Sequence, residues 1–187
     1  MNLLKKSLLD APIVQKGEYE YVIHPLTDGI PEIKSQLLEE VIKKMLEIIK
    51  EYDKIDKIVT MEAMGIPLAT ALSLNMKIPF SIIRKRQYNL NDEVMVKQET
   101  GYSKNKLYIN GLKSGDKIII VDDVLSTGGT LKAVLKSLKN IGVIIKCVII
   151  VVDKSKSDIN YDDFYNIKIH TLSKIEVKDG KLIIRKI

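Results

Sequence analysis

The stretch KIIIVDDVLSTGGTLKAV, from Lys117 to Val134, places two acidic residues directly after an apolar run. The run KIIIV has no alternating polar residues, a pattern typical of a strand buried on both faces of a parallel sheet. Small and hydroxyl residues follow Asp122 and Asp123, and helical spacing begins at Thr130. The stretch therefore predicts a buried strand that ends at Val121, then a loop, then a helix.

The same succession of strands and helices extends in both directions along the chain. Apolar residues recur with helical spacing from Ser35 to Tyr52, and other apolar runs are short and continuous. Because strand, helix and strand follow one another, we predict a parallel sheet with right-handed crossovers. The predicted fold class is α/β, with a central, mainly parallel sheet and helices on both faces. Its elements are a strand in KIDKIVT ending near Thr60, a helix in IPLATALSLN, strands in IPFSIIR and KLYI, a helix over 130–141 and a strand in VIIKCVIIVVD.

Three segments do not follow this alternation. Residues 1–34 are predicted to form an N-terminal segment with a small hood. The segment 85–104 is polar and has no periodicity, and a structureless loop of this length in a compact domain is often functional. Near the end, IEVKDGKLIIR contains two alternating runs around Asp179–Gly180, which predicts a β-hairpin. We expect this hairpin to lie outside the main sheet and to cover its top together with the N-terminal segment.

The composition indicates a single globular domain over residues 1–187. Of the 187 residues, 45% are hydrophobic, which is enough to bury a full core. No apolar run reaches the roughly 18 residues of a membrane span, and the N-terminus lacks the apolar core of a signal peptide. The single cysteine, Cys147, lies in an apolar run, so we expect a buried thiol and a cytoplasmic protein. The net charge of +6 comes from lysines interspersed with acidic residues, which disfavours a nucleic-acid surface.

The loops after the predicted strands indicate a ligand site, because open parallel sheets bind ligands at the carboxyl ends of their strands. The loop Ser126–Thr130 offers N–H groups, hydroxyls and a helix N-terminus to one phosphate, without the lysine of a Walker loop. Asp122 and Asp123 suit the vicinal hydroxyls of a sugar, directly or through a divalent cation. The sequence thus favours a sugar phosphate. The alternative is that the acids merely end a strand and that Ser126 or Thr127 caps the helix.

Several segments resemble motifs of type I phosphoribosyltransferases. IIIVDDVLSTGGT resembles their phosphoribosyl-pyrophosphate (PRPP) motif, and MEAMGI resembles the Glu-Ala-Arg-Gly pyrophosphate loop of adenine phosphoribosyltransferases. IIRKRQYNLNDEV and TGYSKNKLYI resemble the start and the Glu-Tyr-Gly end of the mobile loop in those enzymes. The whole chain, including YVIHPLTDGIP, resembles archaeal hypoxanthine/guanine phosphoribosyltransferases, which are built on the adenine-enzyme plan.

The resemblance implies that a purine base displaces pyrophosphate from C1 of PRPP. It implies Mg²⁺ as the cofactor, bound at Asp122 and Asp123 mainly through water and substrate, and the same acids would hold the ribose hydroxyls. The implied site residues are Asp122, Asp123 and Arg84 for catalysis; Ser126, Thr127, Gly128, Gly129 and Thr130 for the 5′-phosphate; and Ala63, Met64, Gly65, Arg84 and Lys85 for the pyrophosphate.

The resemblance also implies how the base is chosen and how the site closes. Lys154 follows the strand at a position where eukaryotic hypoxanthine enzymes have a lysine. Its ammonium group would donate to O6 of hypoxanthine or guanine but not to the amino group of adenine. If O6 is bound elsewhere, the hood backbone near Val22 and Ile23 is the alternative. Closure of the mobile loop, which includes Tyr102 and Ser103, would exclude water.

The implied partners are PRPP, a purine base and a second copy of the chain in a homodimer. Three departures from the family pattern matter. In the mobile segment, Gln87, Tyr88, Asn91 and Asp92 replace the Gly, Lys, Pro and Gly of the family pattern. Met64 stands where adenine enzymes have arginine, and Ser126 stands where eukaryotic hypoxanthine enzymes carry an aspartate, so we assign no general acid or base. Adenine or xanthine phosphoribosyltransferase activity is an alternative. A PRPP-sensing regulator on the same fold is another, but the first 30 residues contain no recognisable helix-turn-helix.

Overall fold

The structure is a computed structural model that describes residues 2–17, 19–96, 106–155 and 164–185. The helices α1 to α5 are Leu3–Leu9, Pro25–Asp28, Ser35–Ile49, Gly65–Met76 and Gly129–Ile141. The strands β1 to β10 are Ile13–Lys16, Tyr19–Val22, Lys57–Met61, Phe80–Ile83, Val94–Val96, Leu107–Ile109, Lys117–Leu125, Ile144–Asp153, Ile169–Lys178 and Lys181–Arg185.

The main sheet has six strands in the order β10–β9–β8–β7–β3–β4. Five neighbouring strands of this sheet, β4, β3, β7, β8 and β9, pair in parallel, and β10 pairs antiparallel with β9 at one edge. Alternate residues of β7 face two different cores. Ile119 and Val121 pack with α1, α3 and α4, whereas Ile118 and Ile120 pack with α5. The prediction of a mainly parallel α/β sheet with helices on both faces is confirmed.

The central strand β7 is longer than its apolar run. It continues past Val121 to Leu125, so the prediction that the strand ends before the acid pair is wrong. Asp122 still pairs with Ile150 of β8, and Leu125 pairs with Asp153. The ladder bonds are made by the main chain, so they continue where the side chains become polar. The acid pair therefore lies on a strand, which holds it more rigidly than a loop would.

The C-terminal hairpin forms as predicted but in a different place. Asp179 and Gly180 are left-handed at its turn, with φ of 52° and 70°. However, β9 begins at Ile169 and lies parallel to β8 within the main sheet. The expectation of a hairpin outside the sheet is therefore wrong. The alternating run begins only at Ile175, whereas the residues that pair with β8 precede it.

The polar segment 85–104 is not wholly structureless, contrary to the prediction. Its strand β5 pairs antiparallel with β6, with Val94 opposite Ile109. Three residues are too few to produce a recognisable alternation in the sequence. The predicted loop residues Tyr102 and Ser103 lie outside the described residues.

The N-terminal segment combines α1, α2 and the antiparallel pair of β1 and β2. The short helix α2 packs against β7. Its N-cap is His24, which is completely buried. The Nδ1 atom of His24 accepts a hydrogen bond from the Leu26 N–H at 3.2 Å, and Nε2 lies 2.9 Å from Ser7 Oγ. The ring therefore joins α1 to α2 and fixes the hood above the sheet.

We expect this histidine to make the fold sensitive to acid. Burial and the charge of Lys154 lower the pKa of His24 from 6.5 to about 4, although Asp28 acts in the opposite direction. The neutral ring thus stabilises the fold fully above about pH 6.5, and this stability is lost as the pH falls towards 4. Between pH 7 and about pH 4.5, the unfolding free energy should fall by about 2–3 kcal/mol more in the wild type than in His24→Gln. Urea unfolding of both proteins at both pH values measures this difference, and equal losses would contradict the prediction.

Candidate active site

A cleft of about 330 Å³ opens where β3, β4 and β7 end. The loops after these strands and the start of α5 form its walls. Among the predicted site residues, its lining includes Lys85, Asp122, Asp123, Ser126, Thr127, Gly128 and Thr130. The predicted residues Ala63, Met64, Gly65, Arg84 and Gly129 are close in the chain to lining residues but are not part of the lining. The predicted base-binding residues Lys154, Val22 and Ile23 do not line it either. Glu62, which the sequence analysis did not select, lines the cleft as well.

The acid pair is buried at the floor of this cleft. Asp122 and Asp123 are each only 8% exposed. Burial, and then the charge of Asp123, raises the pKa of Asp122 well above its usual range. Burial also raises the pKa of Asp123, although the Asp122 carboxyl and the charge of Lys154 oppose this. Within the described residues neither carboxylate forms an ion pair. Two desolvated carboxylates that pair with no cationic side chain in the described residues suit a divalent ion or the hydroxyls of a ligand.

The loop after β7 presents an uncapped helix N-terminus beside these acids. The N-cap of α5 is Gly128, which has no side chain that could bond the first amides of the helix. The alternative that Ser126 or Thr127 caps the helix is therefore wrong. The first N–H groups of a helix need acceptors, and its dipole favours an anion there. With the exposed hydroxyl groups of Ser126, Thr127 and Thr130 around them, these amides form a site that a phosphate fits.

Only glycine fits at the turn into α5. Gly128 has a left-handed φ of 76°, and a Cβ there would lie 2.7 Å from Cζ of Phe164. The Phe164 ring is itself buried, and Lys132 Nζ lies 5.4 Å from its centroid. The Phe164 ring thus packs against the loop at Gly128. Sequence reasoning missed this residue because it follows a long polar segment and carries no local motif.

A second helix with no side-chain cap begins next to the cleft, just after the loop that follows β3. The helix α4 starts at Gly65, and its N-cap Met64 makes no side-chain bond to the helix. A Cβ on Gly65 would lie 2.0 Å from Thr60 Oγ1 and 2.8 Å from Asp122 Oδ1, so the residue allows the helix to approach the acid pair closely. The side chain of Met64 faces the hood, because its Cε would lie 3.5 Å from a Cβ on Gly29.

Glu62 links two loops of the cleft. Its carboxylate lies 2.8 Å from Arg84 Nε and accepts a hydrogen bond from the Lys85 N–H at 2.5 Å. The peptide bond between Glu62 and Ala63 is cis. The carboxylate therefore contacts the Arg84 side chain and the main chain of Lys85 at the end of β4. An acidic residue that ends one strand, with a cationic run ending the next, is the sequence signal that could have identified it.

Lys154 extends from the end of β8 towards the hood. Its side-chain Nζ donates to the Val22 carbonyl at 3.4 Å, and its main-chain N–H donates to the Leu125 carbonyl at 2.7 Å. Burial lowers the pKa of Lys154, while the charges of Asp28 and Asp123 act to raise it. The alternative base contact, the N–H of Ile23, donates to the Pro12 carbonyl at 3.0 Å.

The described ranges contain no group of three or more His, Cys, Asp or Glu side chains arranged to hold a metal ion. Any ion at Asp122 and Asp123 would therefore take most of its ligands from substrate and water. None of the helices found in these ranges is long and apolar enough to cross a membrane.

Comparison with known proteins shows which family the chain belongs to. A family model described as the phosphoribosyl transferase domain matches residues 31–179. A protein named hypoxanthine/guanine phosphoribosyltransferase from Methanothermococcus okinawensis is 52% identical over 186 residues, covering 98% of this chain and 100% of that protein. A protein of the same name from Methanocaldococcus infernus is 50% identical over 182 residues, covering 97% of this chain and 99% of that protein.

Solved structures show the same fold. The adenine phosphoribosyltransferase of Thermoanaerobacter pseudethanolicus has a TM-score of 0.73 at 20% identity, covering 91% of this chain and 99% of that one. The corresponding enzyme of Giardia lamblia, solved with 9-deazaadenine, has a TM-score of 0.73 at 17% identity, covering 93% and 98%. The resemblance predicted from the sequence is thus confirmed. The chain belongs to the type I phosphoribosyltransferase family, together with the archaeal hypoxanthine/guanine phosphoribosyltransferases.

Proposed function

We propose that this chain is a purine salvage enzyme that transfers phosphoribose from PRPP to hypoxanthine, guanine or both, releasing pyrophosphate. One observation carries the proposal. A single cleft joins a buried pair of carboxylates to an uncapped helix N-terminus. This arrangement fits a ribose 5-phosphate, and relatives about half identical over nearly the whole chain carry the name of this activity.

Each part of PRPP would contact a different part of the cleft. Asp122 and Asp123 would accept hydrogen bonds from the 2′ and 3′ hydroxyls, and the loop Ser126–Thr130 would bind the 5′-phosphate. Mg²⁺ would be held by the two acids mainly through water and substrate oxygens, and it supplies positive charge to the leaving pyrophosphate.

The pyrophosphate would lie against the opposite wall. The backbone of Ala63, Met64 and Gly65 would contact it, since the N–H groups that begin α4 have no side-chain cap. Arg84 and Lys85 add positive charge where negative charge develops as the bond to C1 breaks. Glu62 would orient the guanidinium group of Arg84 and fix the main chain at Lys85. Met64 brings no charge of its own, so Arg84 is the catalytic residue on this wall.

The proposal includes the organisation of the chain. It is one phosphoribosyltransferase domain, in which residues 1–34 form the hood and segment 85–104 closes over PRPP to exclude water. It acts in the cytoplasm as a symmetric homodimer. Light scattering at concentrations of full activity tests the dimer, and a monomeric mass would exclude it.

Incubation with PRPP, Mg²⁺ and each purine base in turn tests the function. We expect IMP from hypoxanthine or GMP from guanine, with release of one pyrophosphate per nucleotide. Use of adenine or xanthine instead would establish one of the alternative substrates. If PRPP binds but no base is converted, the chain is a PRPP sensor, and the enzymatic proposal is lost.

We expect Lys154 to select the base. The ammonium group would donate to O6 of a 6-oxopurine, whereas adenine presents a second donor at that position. Lys154→Ala should therefore reduce kcat/KM for hypoxanthine by about 10²-fold or more and leave the KM for PRPP within about twofold. Steady-state kinetics with both bases measures this change. Lys156→Ala, outside the described residues, is the matched control and should have little effect. An unchanged preference for hypoxanthine over adenine in Lys154→Ala would mean that O6 is bound elsewhere.

A further inference from the structure

The hood brings a carboxylate close to Lys154. Asp28 is the last residue of α2, which packs against β7 above the acid pair. The next residue, Gly29, has a φ of 72°, and a Cβ there would lie 3.5 Å from Met64 Cε. The end of α2 therefore borders the loop after β3. Asp28 Oδ2 lies 2.9 Å from the His24 N–H nitrogen, and Lys154 Nζ lies 3.4 Å from the carbonyl oxygen of Val22, two residues earlier, so both groups contact the same short hood segment.

The orientation of this carboxylate is fixed from within the hood. Its Oδ2 atom accepts hydrogen bonds from the His24 N–H at 2.9 Å and from the Thr27 hydroxyl at 2.6 Å. Within the described residues, the other oxygen, Oδ1, has no hydrogen-bond donor. The side chain is exposed. Asp28 thus presents one oriented, unused acceptor.

Lys154 presents a donor nearby without being neutralised by the acid. Its contact with the Val22 carbonyl is long, at 3.4 Å. In the part of the chain that is described, the ammonium group forms no ion pair with Asp28 or Asp123, although both charges act on it. A donor and an acceptor therefore lie apart from each other on the hood side of the ribose acids. This region borders the acid pair, because the main-chain N–H of Lys154 donates to the carbonyl of Leu125, two residues past Asp123. The base of a ribose held at Asp123 would therefore be within reach of it.

The edge of a 6-oxopurine matches this pair of groups. Hypoxanthine and guanine present O6 as an acceptor and N1–H as a donor at adjacent ring positions. Adenine presents the reverse, an amino donor and an N1 acceptor. An ammonium group can only donate, and a carboxylate can only accept. We propose that Asp28 accepts a hydrogen bond from N1–H of the purine while Lys154 donates to O6. This inference rests on the proposed function and adds a second specificity-determining residue to it.

Replacing Asp28 by asparagine tests the proposal directly. The amide oxygen can keep the bonds from His24 and Thr27, which leaves the NH₂ group where Oδ1 was. This change turns the acceptor into a donor without altering the shape of the side chain. We expect Asp28→Asn to lower kcat/KM for hypoxanthine by about 10- to 100-fold and to lower the ratio of hypoxanthine to adenine use. The KM for PRPP should stay within about twofold.

Two controls separate the N1–H contact from indirect effects. With 1-methylhypoxanthine, which has no N1–H, Asp28→Asn should cause no further loss relative to the wild type. Asp53→Asn removes the same charge from an exposed site, where the carboxylate pairs with Lys146 at 2.7 Å, and should leave the kinetics unchanged. Calorimetric binding of IMP and AMP to each variant gives a readout that does not depend on turnover, and Asp28→Asn should weaken IMP alone.

The outcomes distinguish the two proposals. If the wild type converts no purine, the proposed function fails. If the wild type uses hypoxanthine and Asp28→Asn keeps its preference and its affinity for IMP, only the inference about Asp28 is overturned. Equal losses with hypoxanthine and 1-methylhypoxanthine would also overturn it, because Asp28 would then act through Lys154 rather than on the base.

Discussion

Replacing Asp122 and Asp123 together by asparagine should reduce nucleotide formation by about 10³-fold or more, with the fold unchanged. The two carboxylates would lose their negative charge and with it their hold on Mg²⁺. Asparagine has nearly the same volume, and the ladder bonds of β7 to β8 come from the main chain. Initial rates at saturating PRPP and hypoxanthine, with circular dichroism as a check of folding, measure the effect. Retention of more than a small fraction of activity would count against PRPP as the ligand of this cleft.

The same variant should be more stable than the wild type at neutral pH. Burial raises the pKa of both carboxyl groups above 3.8 in the folded state. A carboxyl group whose pKa is raised by folding stabilises the protein below its unfolded pKa, and this contribution is lost as the pH rises through the folded value. At pH 7 the ionised pair therefore opposes folding. We expect urea unfolding at pH 7 to give a higher free energy for the double variant, by about 1 kcal/mol or more.

Asp116 provides the matched control at the other end of the same strand. Burial alone would raise its pKa, but hydrogen bonds from the Lys113 N–H and from Lys57 hold the pKa of Asp116 below its usual value. Asp116→Asn should therefore destabilise the fold and leave the KM for PRPP unchanged. If the unfolding free energy rises in the double variant and falls in Asp116→Asn, the acid pair is retained for function at a cost in stability. A double variant that is less stable than the wild type would contradict this view.

The parts of the site that sequence predicts are those encoded in one short stretch. The acids of β7 and the loop Ser126–Thr130 are neighbours in the chain, and the parallel sheet fixes which edge they occupy. The parts that sequence does not predict are assembled from distant elements. Asp28 acts on Lys154 only because α2 folds back over β7, and Glu62 meets Arg84 only because β3 and β4 pair.

The errors in the predicted fold have a related cause. Periodicity reports which side chains are buried, whereas strand limits depend on main-chain pairing. The strand β7 therefore continues through Asp122 and Asp123, where the apolar pattern has already ended. For the same reason the sequence does not predict β5, whose three residues are a strand because they pair with β6.

The position of the loop Ser126–Thr130 should depend on a contact that no local sequence motif reveals. Gly128 has a φ of 76°, and a Cβ there would lie 2.7 Å and 3.2 Å from two atoms of the Phe164 ring. Gly128→Ala therefore adds a steric overlap to the cost of a left-handed alanine, and the loop must shift away from its present position. A displacement of about 1 Å in a binding group can cost about 10²-fold, so we expect kcat/KM for PRPP to fall by that factor. The KM for the base should change far less, because the contact adjoins the proposed 5′-phosphate site and not the proposed base site.

Gly115→Ala separates the backbone effect from the overlap. Gly115 has a similar left-handed φ of 86°, but a Cβ there would have no atom within 4 Å. It precedes β7 at the end opposite the cleft. This variant should lose about 1–2 kcal/mol of stability and keep normal kinetics. Adding Phe164→Leu to Gly128→Ala shortens the ring that causes the overlap, so it should restore part of the lost PRPP use, whereas Phe164→Leu alone should not improve it. If Gly128→Ala impairs PRPP use no more than Gly115→Ala does, Phe164 does not position the loop.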